Sequence, residues 1–433
     1  MPEYKPVKNL SIDRDGYLLE LFKEEVGKVK FVKEATRNSI TELRDVELHL
    51  QTDSLIDIWK KLIGDAIVFL KSKDDREKYH DERTLGTEKL YDFLTEFQKF
   101  ETILYGAVPN YRDHIAHVFR VFLLGHCIIK TAIGFERIDP NVKSLEISPE
   151  EKEAIWCILA LTHDLGYSLE VIHHINQRVR SMLQQFGNIP VQELGYSYFT
   201  QFGSISDFTI RFLSSDIIAI DEDKFVTHLQ SKYYQKFLNA LSNFDHGVIS
   251  STILMKDLVY FKESDYMLDV HKPLKREGAR QFLVRKEILR AIASHSCEDI
   301  YHLGIKNFPF MLTVCDEMQE WGRPRLVDIT KRGGSETKLT INKFSDRVVD
   351  YKIIFSFPSK YDASIAEMEY AGKEVHSYFT KKRDKWLNVL RSAVGGDQRN
   401  LELKFEVKDQ TSPNVRKYSL RHINPEEIKV IEK

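Results

Sequence analysis

Apolar residues recur three and four positions apart through most of the first 330 residues of the chain. In "SLIDIWKKLIGDAIVFL" and "EKLYDFLTEFQKFETIL" this period marks residues 1–100 as a charge-rich, mostly helical segment. Residues 101–330 read as a succession of helices with legible ends. Asn110 has Asp113 three residues on, Ser148-Pro149 is followed by Glu150 and Glu151, and Pro309 sits near the start of "FPFMLTVCDEMQEWG", which Gly322 and Pro324 close. No strand alternation is expected within that span. After the loop "KRGGSE" the period changes to two, in "YKIIFSF" and more clearly in "LELKFEVK", where Leu401, Leu403, Phe405 and Val407 alternate with charges. One long helix is expected between these strands, over 364–391. The pattern thus predicts a mainly α protein: a helical N-terminal extension (1–100), a helical bundle (101–330) and a small C-terminal α+β domain (331–433) of order β-β-α-β-β.

Composition narrows the class without naming a function. A chain of 433 residues with 42% hydrophobic content can bury one large core and one or two smaller ones. The apolar stretches "AIWCILAL" and "VFLLG" fall short of the ~20 residues of a membrane span, and "MPEYKPVKNLSIDRDG" has no signal core, so a cytoplasmic location without a membrane partner is the expectation. The four cysteines, Cys127, Cys157, Cys297 and Cys315, lack Cys-x-x-Cys spacing and read as free thiols. A net charge of -2 gives no global pull toward nucleic acid. The segment after Pro324 is mildly basic, and its run "TKKRDK" reads as a solvated helix face, which leaves a nucleic-acid contact through the C-terminal domain only as a secondary expectation. The N-terminal helices read as a lid or an oligomerisation segment, so a homo-oligomer stays open.

Candidate chemistry begins at the doublet His163-Asp164, which closes the apolar helix "AIWCILALT". An ionisable pair at such a place has to be paired, hydrogen-bonded or metal-bound to offset its desolvation. Imidazole with carboxylate suits Mn, Fe, Ni, Co or Zn. Other polar residues of the same kind recur at helix ends or on apolar faces: His117 on the stripe with Val121 and Leu124, His246 opening "HGVISSTIL", His295 closing "EILRAIASH", and Asp316 after "FMLTV". For any single histidine a satisfied core position is the simpler account. Taken together with Asp164 and Asp316, ligation is favoured.

The order H…HD…H…H…D, with the local runs "HVFRV", "HDLG" and "CDEMQEWGRP", resembles the HD-domain superfamily of metal-dependent phosphohydrolases over roughly residues 105–325. The resemblance implies a helical HD bundle at 101–330. It also implies two divalent transition-metal ions, one held by His117, His163, Asp164 and Asp316, the other by His246 and His295, with Asp164 bridging. Such ions share a water, lower its pKa and hold a phosphoryl oxygen opposite the attacking hydroxide, so the substrate expected is a nucleotide or another small phosphoester. Asp164 is then catalytic as well as a ligand. Asp113 and His114, four and three residues before His117, are candidates to protonate the leaving oxygen. Related cyclic-nucleotide phosphodiesterases carry histidine where this chain has Asp113, and a helix-capping role as partner of Asn110 competes for that residue. Arg120, Lys130, Arg178 and Arg180 are candidate cations for phosphate. Arg178 and Arg180 also fit an exposed basic face.

The chain lacks the Gly-Tyr-Pro signature of cyclic-dinucleotide hydrolysis and the histidine-rich stretch of deoxynucleoside triphosphohydrolases, so neither substrate carries over. Guanosine tetraphosphate hydrolases use a mononuclear site, which the two extra histidines disfavour. Two alternatives remain from the sequence: a diiron oxygenase on the same ligand set, and a nucleotide-sensing module without turnover.

Overall fold

The computed structural model of the chain describes residues 4–44, 46–71, 87–107, 112–140, 142, 145–185, 203–257, 273–300, 304–323, 336–359, 398–409, 415–423 and 427–432, with strands from residue 355 onward described by backbone alone. Asn110, Pro324, the basic run at 380–385 and the helix expected over 364–391 lie outside these residues. The protein is mainly helical with a small sheet region.

In chain order the elements begin with strand β1 (Val7–Ile12), α1 (Gly16–Val26), α2 (Glu34–Thr41), α3 (Thr52–Leu70) and α4 (Thr87–Ala107). There follow α5 (Ile115–Ile128), α6 (Pro149–Thr162), α7 (Tyr167–Gln184), α8 (Gly203–Ser214), the strands β2 (Ser215–Asp221) and β3 (Lys224–Leu229), and α9 (Ser231–Ser242). The chain continues with α10 (His246–Asp257), α11 (Arg276–Ser296), α12 (Phe308–Met318), and the strands β4 (Glu336–Phe344), β5 (Val348–Ser359), β6 (Gln398–Asp409), β7 (Val415–Ile423) and β8 (Glu427–Glu432). Contacts divide the chain into two compact units, one of Met1–Leu62, Glu101–Asp139 and Tyr301–Lys433, the other of Ile63–Phe100 and Pro140–Ile300.

In the first unit α5 is buried on nearly every side and packs against α1 and α12. Phe22 of α1 meets Phe122 and His126 of α5 edge-on at ring distances of 5.1 Å. The polar knot beside this core is an ion pair. Arg120 donates to both carboxylate oxygens of Asp15, at 2.6 and 2.7 Å, and its Nη1 donates to the carbonyl of Gly322 at 2.8 Å. Asp15 also accepts from the Leu48 backbone N–H and the Trp321 indole, at 2.8 and 3.0 Å. Gly322 has φ +65, and a Cβ there would lie 2.6 Å from the Arg120 guanidinium, so glycine serves both the turn and the close approach.

The sheet of this unit runs β1-β4-β5-β6-β7-β8. All neighbours are antiparallel except β5 and β6, which pair parallel with Tyr351 opposite Leu401. The strand β1 corrects part of the reading of residues 1–100 as helical, because "VKNLSI" pairs with β4, Leu10 opposite Ile341. Its alternation is too short, and its partner too distant in sequence, to stand out from a polar N-terminal stretch.

In the second unit α6, α10 and α11 form the centre, with α11 packed on both α6 and α10 and α10 also on α7. Residues 152–162 of α6 are all buried. Its start is the capping box read from the sequence: the Glu151 N–H donates to Ser148 Oγ at 3.2 Å, and the Ser148 N–H donates to the Glu151 carboxylate at 2.9 Å. The hairpin β2–β3 corrects the expectation of helices alone within 101–330. "DIIAID" is a short apolar run whose period fits either structure, and the turn Glu222-Asp223 lacks the glycine or asparagine that marks a hairpin; the burial of Ile217, Phe225 and Thr227 against solvated neighbours is strand-like. The runs Ile115–Ile133 and Pro149–Gln184 are long and apolar enough to cross a membrane by length and composition, and both are mostly buried inside the protein.

Two stability predictions follow from the ion pair. Asp15→Ala leaves the Arg120 guanidinium buried without its carboxylate and is expected to cost about 3–5 kcal/mol, measured by urea unfolding. Burial, then the adjacent Asp15 carboxylate, raises the Glu47 carboxyl from 4.5 to about 7. The folded state therefore binds this proton more tightly than the unfolded chain. That contribution is full below about pH 4.5 and is lost as pH rises through about 7. Glu47→Gln should flatten the fall in unfolding midpoint across this window, and an unchanged slope would assign it to another group.

Candidate metal centre

Three helix ends of the second unit bring imidazoles to one carboxylate. His163 is the C-cap of α6, Asp164 begins the turn into α7, His246 is the first residue of α10, and His295 is the penultimate residue of α11. His163 Nε2 lies 3.5 Å from Asp164 Oδ2, while His246 Nε2 and His295 Nε2 lie 3.6 and 3.5 Å from Asp164 Oδ1. His163, Asp164 and His295 are buried, and each offers one ligand atom within 4.8 Å of the others.

The opposite edges of these rings are all occupied by acceptors. His163 Nδ1 lies 2.8 Å from the Ala160 carbonyl, His295 Nδ1 lies 2.6 Å from the Ile292 carbonyl, and His246 Nδ1 lies 2.6 Å from Glu170 Oε2. In the neutral ring an acceptor at Nδ1 fixes the proton there and leaves Nε2 with a lone pair, the form that binds metals. His246 Nε2 and His295 Nε2 are only 3.1 Å apart. Two lone pairs at that distance repel unless a proton or another cation lies between them. The two rings shift in opposite directions. Burial opposes charging His246, but the Glu170 carboxylate outweighs it and raises the imidazole to about 9. Burial lowers His295, and the positive charge of its neighbours His163 and His246 outweighs part of what Asp164 restores. A metal ion held here would satisfy all three Nε2 atoms together.

Two glycines permit this convergence. A Cβ on Gly166 would lie 2.5 Å from the His246 carbonyl, and one on Gly247 would lie 2.4 Å from Ser296 Oγ and 2.5 Å from the Ile292 carbonyl. The Gly166 N–H donates to Ser250 Oγ at 2.8 Å, tying the doublet's turn to α10. Asp245 Oδ1 accepts from the N–H groups of Gly247 and Val248, at 3.0 and 3.2 Å, and from Ser296 Oγ at 2.5 Å, which fixes the α10 start against the α11 end.

The first unit holds a parallel arrangement of its own. His117, in the first turn of α5, points Nε2 at Asp316 Oδ1 of α12, 2.9 Å away, while Nδ1 meets Gln319 Oε1 at 2.5 Å. The Gln319 amide nitrogen donates to the Trp321 carbonyl at 2.6 Å, so the amide presents its oxygen to the ring. His117 and Asp316 are thus a second imidazole–carboxylate pair with the ring's far edge held. His114 is buried, with its backbone N–H and ring Nδ1 at 2.6 and 3.2 Å from Glu101 Oε1. Asp113 Oδ1 accepts the Ala116 N–H at 3.1 Å, a helix-start bond, and burial followed by the charge of Glu101 raises its carboxyl above the usual range.

Among the candidate phosphate-binding cations, Arg120 is corrected: the guanidinium is 1% exposed and engaged by Asp15 and Gly322, so it does not present itself to a ligand. Lys130 pairs with Glu25 at 2.9 Å. Arg178 and Arg180 are exposed on α7. His173 stacks flat on Phe244, with ring centroids 4.0 Å apart. Sequence reading missed Glu170 and Gln319. Both could have been sought by asking what accepts the Nδ1 proton of a buried histidine at a helix start.

Comparison with known proteins returns no relative. No family model matches the chain, and no curated protein or solved structure matches it. The donor set itself fits a transition-metal ion, with borderline-soft imidazole nitrogens and a shared carboxylate.

Gly247→Ala is expected to destabilise the protein by about 1–3 kcal/mol, because the added methyl meets backbone and the Ser296 hydroxyl rather than the end of a flexible side chain. A thermal unfolding midpoint equal to the wild type would show that α10 and α11 can separate without cost.

Proposed function

We propose that the protein is a metal-dependent phosphohydrolase of HD type acting on a nucleotide or other small phosphoester. The observation that carries this reading is the convergence of the His163, His246 and His295 Nε2 atoms on Asp164, each ring with Nδ1 held by an acceptor. These four residues would hold a divalent transition-metal ion. The resemblance to HD-domain phosphohydrolases adds His117 and Asp316, which pair in the first unit, as further candidate ligands, and implies a second ion. Bound ions of this kind supply Lewis acidity toward a phosphoryl oxygen and a water of lowered pKa.

The chain's own residues then divide the remaining work. Asp164 keeps its carboxylate between three imidazoles and neutralises part of the charge gathered there. Asp113, whose carboxyl retains its proton above the usual range, fits protonation of a leaving oxygen better than His114, whose Nδ1 edge is turned to Glu101. Arg178 and Arg180, exposed on the helix that follows the doublet, are the candidate cations for a phosphate.

The test is release of phosphate or nucleoside from a nucleotide and phosphodiester panel with added Mn, comparing the intact protein with Asp164→Ala. The expected result is turnover by the wild type and a loss in the variant exceeding about 100-fold, since removing a ligand should cost more than removing its hydrogen-bonded support. Iron content with an oxygen-dependent optical change, and no phosphate release, would replace hydrolysis by oxygenase chemistry. Tight nucleotide binding without turnover would favour a sensor.

A further inference from the structure

The polarity of the helices that carry the histidines sets a requirement that only some of them meet alone. A histidine near a helix C-terminus has carbonyls of its own last turn left without intrahelical partners. His163 and His295 use this directly: each Nδ1 meets the carbonyl three residues back, Ala160 at 2.8 Å and Ile292 at 2.6 Å. A histidine that opens a helix has the opposite surroundings, because the groups left over there are N–H donors. His246 opens α10 and has no such carbonyl to use.

We propose that Glu170 is the positioning residue that makes His246 a metal ligand, accepting its Nδ1 proton so that Nε2 faces Asp164 and His295. The inference rests on the metal-centre reading above and names the residue on which that centre depends in the second unit. One oxygen, Glu170 Oε2, accepts both the His246 ring Nδ1–H at 2.6 Å and the His246 backbone N–H at 3.1 Å. It thereby fixes the ring's tautomer and orientation and satisfies a leftover donor of α10. Glu170 is itself in the first turn of α7, six residues after Asp164, and the turn between them is tied to α10 by the bond from Gly166 to Ser250. Doublet, supporting carboxylate and supported histidine therefore form one closed loop of contacts. Tyr167, from the same first turn, meets the His246 ring edge-on at 5.5 Å and limits its rotation. The other oxygen, Oε1, faces His174 at 3.6 Å, a histidine whose side chain is 56% exposed, so among the described residues His246 is the better-buried of the two histidines that Glu170 meets.

The same logic explains the contrast with the first unit. His117 also lies in the first turn of its helix and also takes a side-chain acceptor, Gln319. That acceptor is neutral, whereas Glu170 brings a full charge to the ring it holds.

The experiment is Co(II) titration of the full chain, followed by visible absorbance, for the wild type, Glu170→Ala and Glu170→Gln. Glutamine retains an oxygen for both N–H donors and guards against a trivial folding defect. Expected are a fall of about 10–100-fold in Co(II) affinity with an altered absorption band for Glu170→Ala, and a smaller fall with the wild-type band for Glu170→Gln. Wild-type affinity and spectrum in Glu170→Ala would overturn the inference. Equal losses in both variants would assign the effect to charge alone and overturn the positioning role. Absence of Co(II) binding by the wild type would overturn the metal-centre reading itself, and this inference with it.

Discussion

A buried imidazole carries two nitrogens, and each must be satisfied. That demand organises the polar interior of this protein more than any other single constraint. Where a histidine ends a helix, as at His163 and His295, the helix supplies the acceptor from its own last turn. Where a histidine begins one, as at His117 and His246, another element must send a side chain, and Gln319 and Glu170 do so. In every case an acceptor meets Nδ1 while Nε2 faces a carboxylate, Asp164 in one unit and Asp316 in the other. Within each unit a ring so held turns its second nitrogen toward a carboxylate. His126, another buried histidine, lies among the rings of Phe22, Phe122 and Phe135.

The ion pair of Asp15 and Arg120 shows how the same residue types serve stability. Asp15 accepts from the arginine, from the Leu48 backbone and from Trp321, and the arginine donates onward to Gly322. Three stretches far apart in sequence are thus joined at one carboxylate. A buried pair of this kind adds little net energy over apolar packing, yet it fixes which segments meet, because any other arrangement would leave a charge without a partner.

Much of the helical skeleton was legible in the sequence for ordinary reasons. The start of α6 announces itself through Ser148, Pro149 and Glu151, and the ends of α6 and α11 through a change from apolar to polar residues at His163 and His295. The candidate ligands were legible because ionisable residues on apolar helices are expensive and therefore conspicuous. The supporting residues were not: Glu170 and Gln319 sit among other polar residues, and their value lies in which ring they meet after folding. Arg120 misled for a related reason. Its charge is visible in the sequence, but its partner lies 105 residues away, at Asp15. The strands β1, β2 and β3 were missed because short apolar runs fit either period, and a pairing such as β1 with β4 leaves no local trace.

That last pairing sets a timetable for the chain as it is made. Ser11 of β1 stands beside Thr340 of β4, 329 residues later. At a synthesis rate of about 5–20 residues per second, roughly 15–65 s pass between the emergence of the two strands. Throughout that interval the open edge of β1 faces the cell without its neighbour, and the unit it belongs to cannot close. The second unit, whose larger part is the continuous run Pro140–Ile300, is synthesised in between. The order of folding therefore departs from the order of synthesis: the middle of the chain can settle first, and β1 must wait for β4.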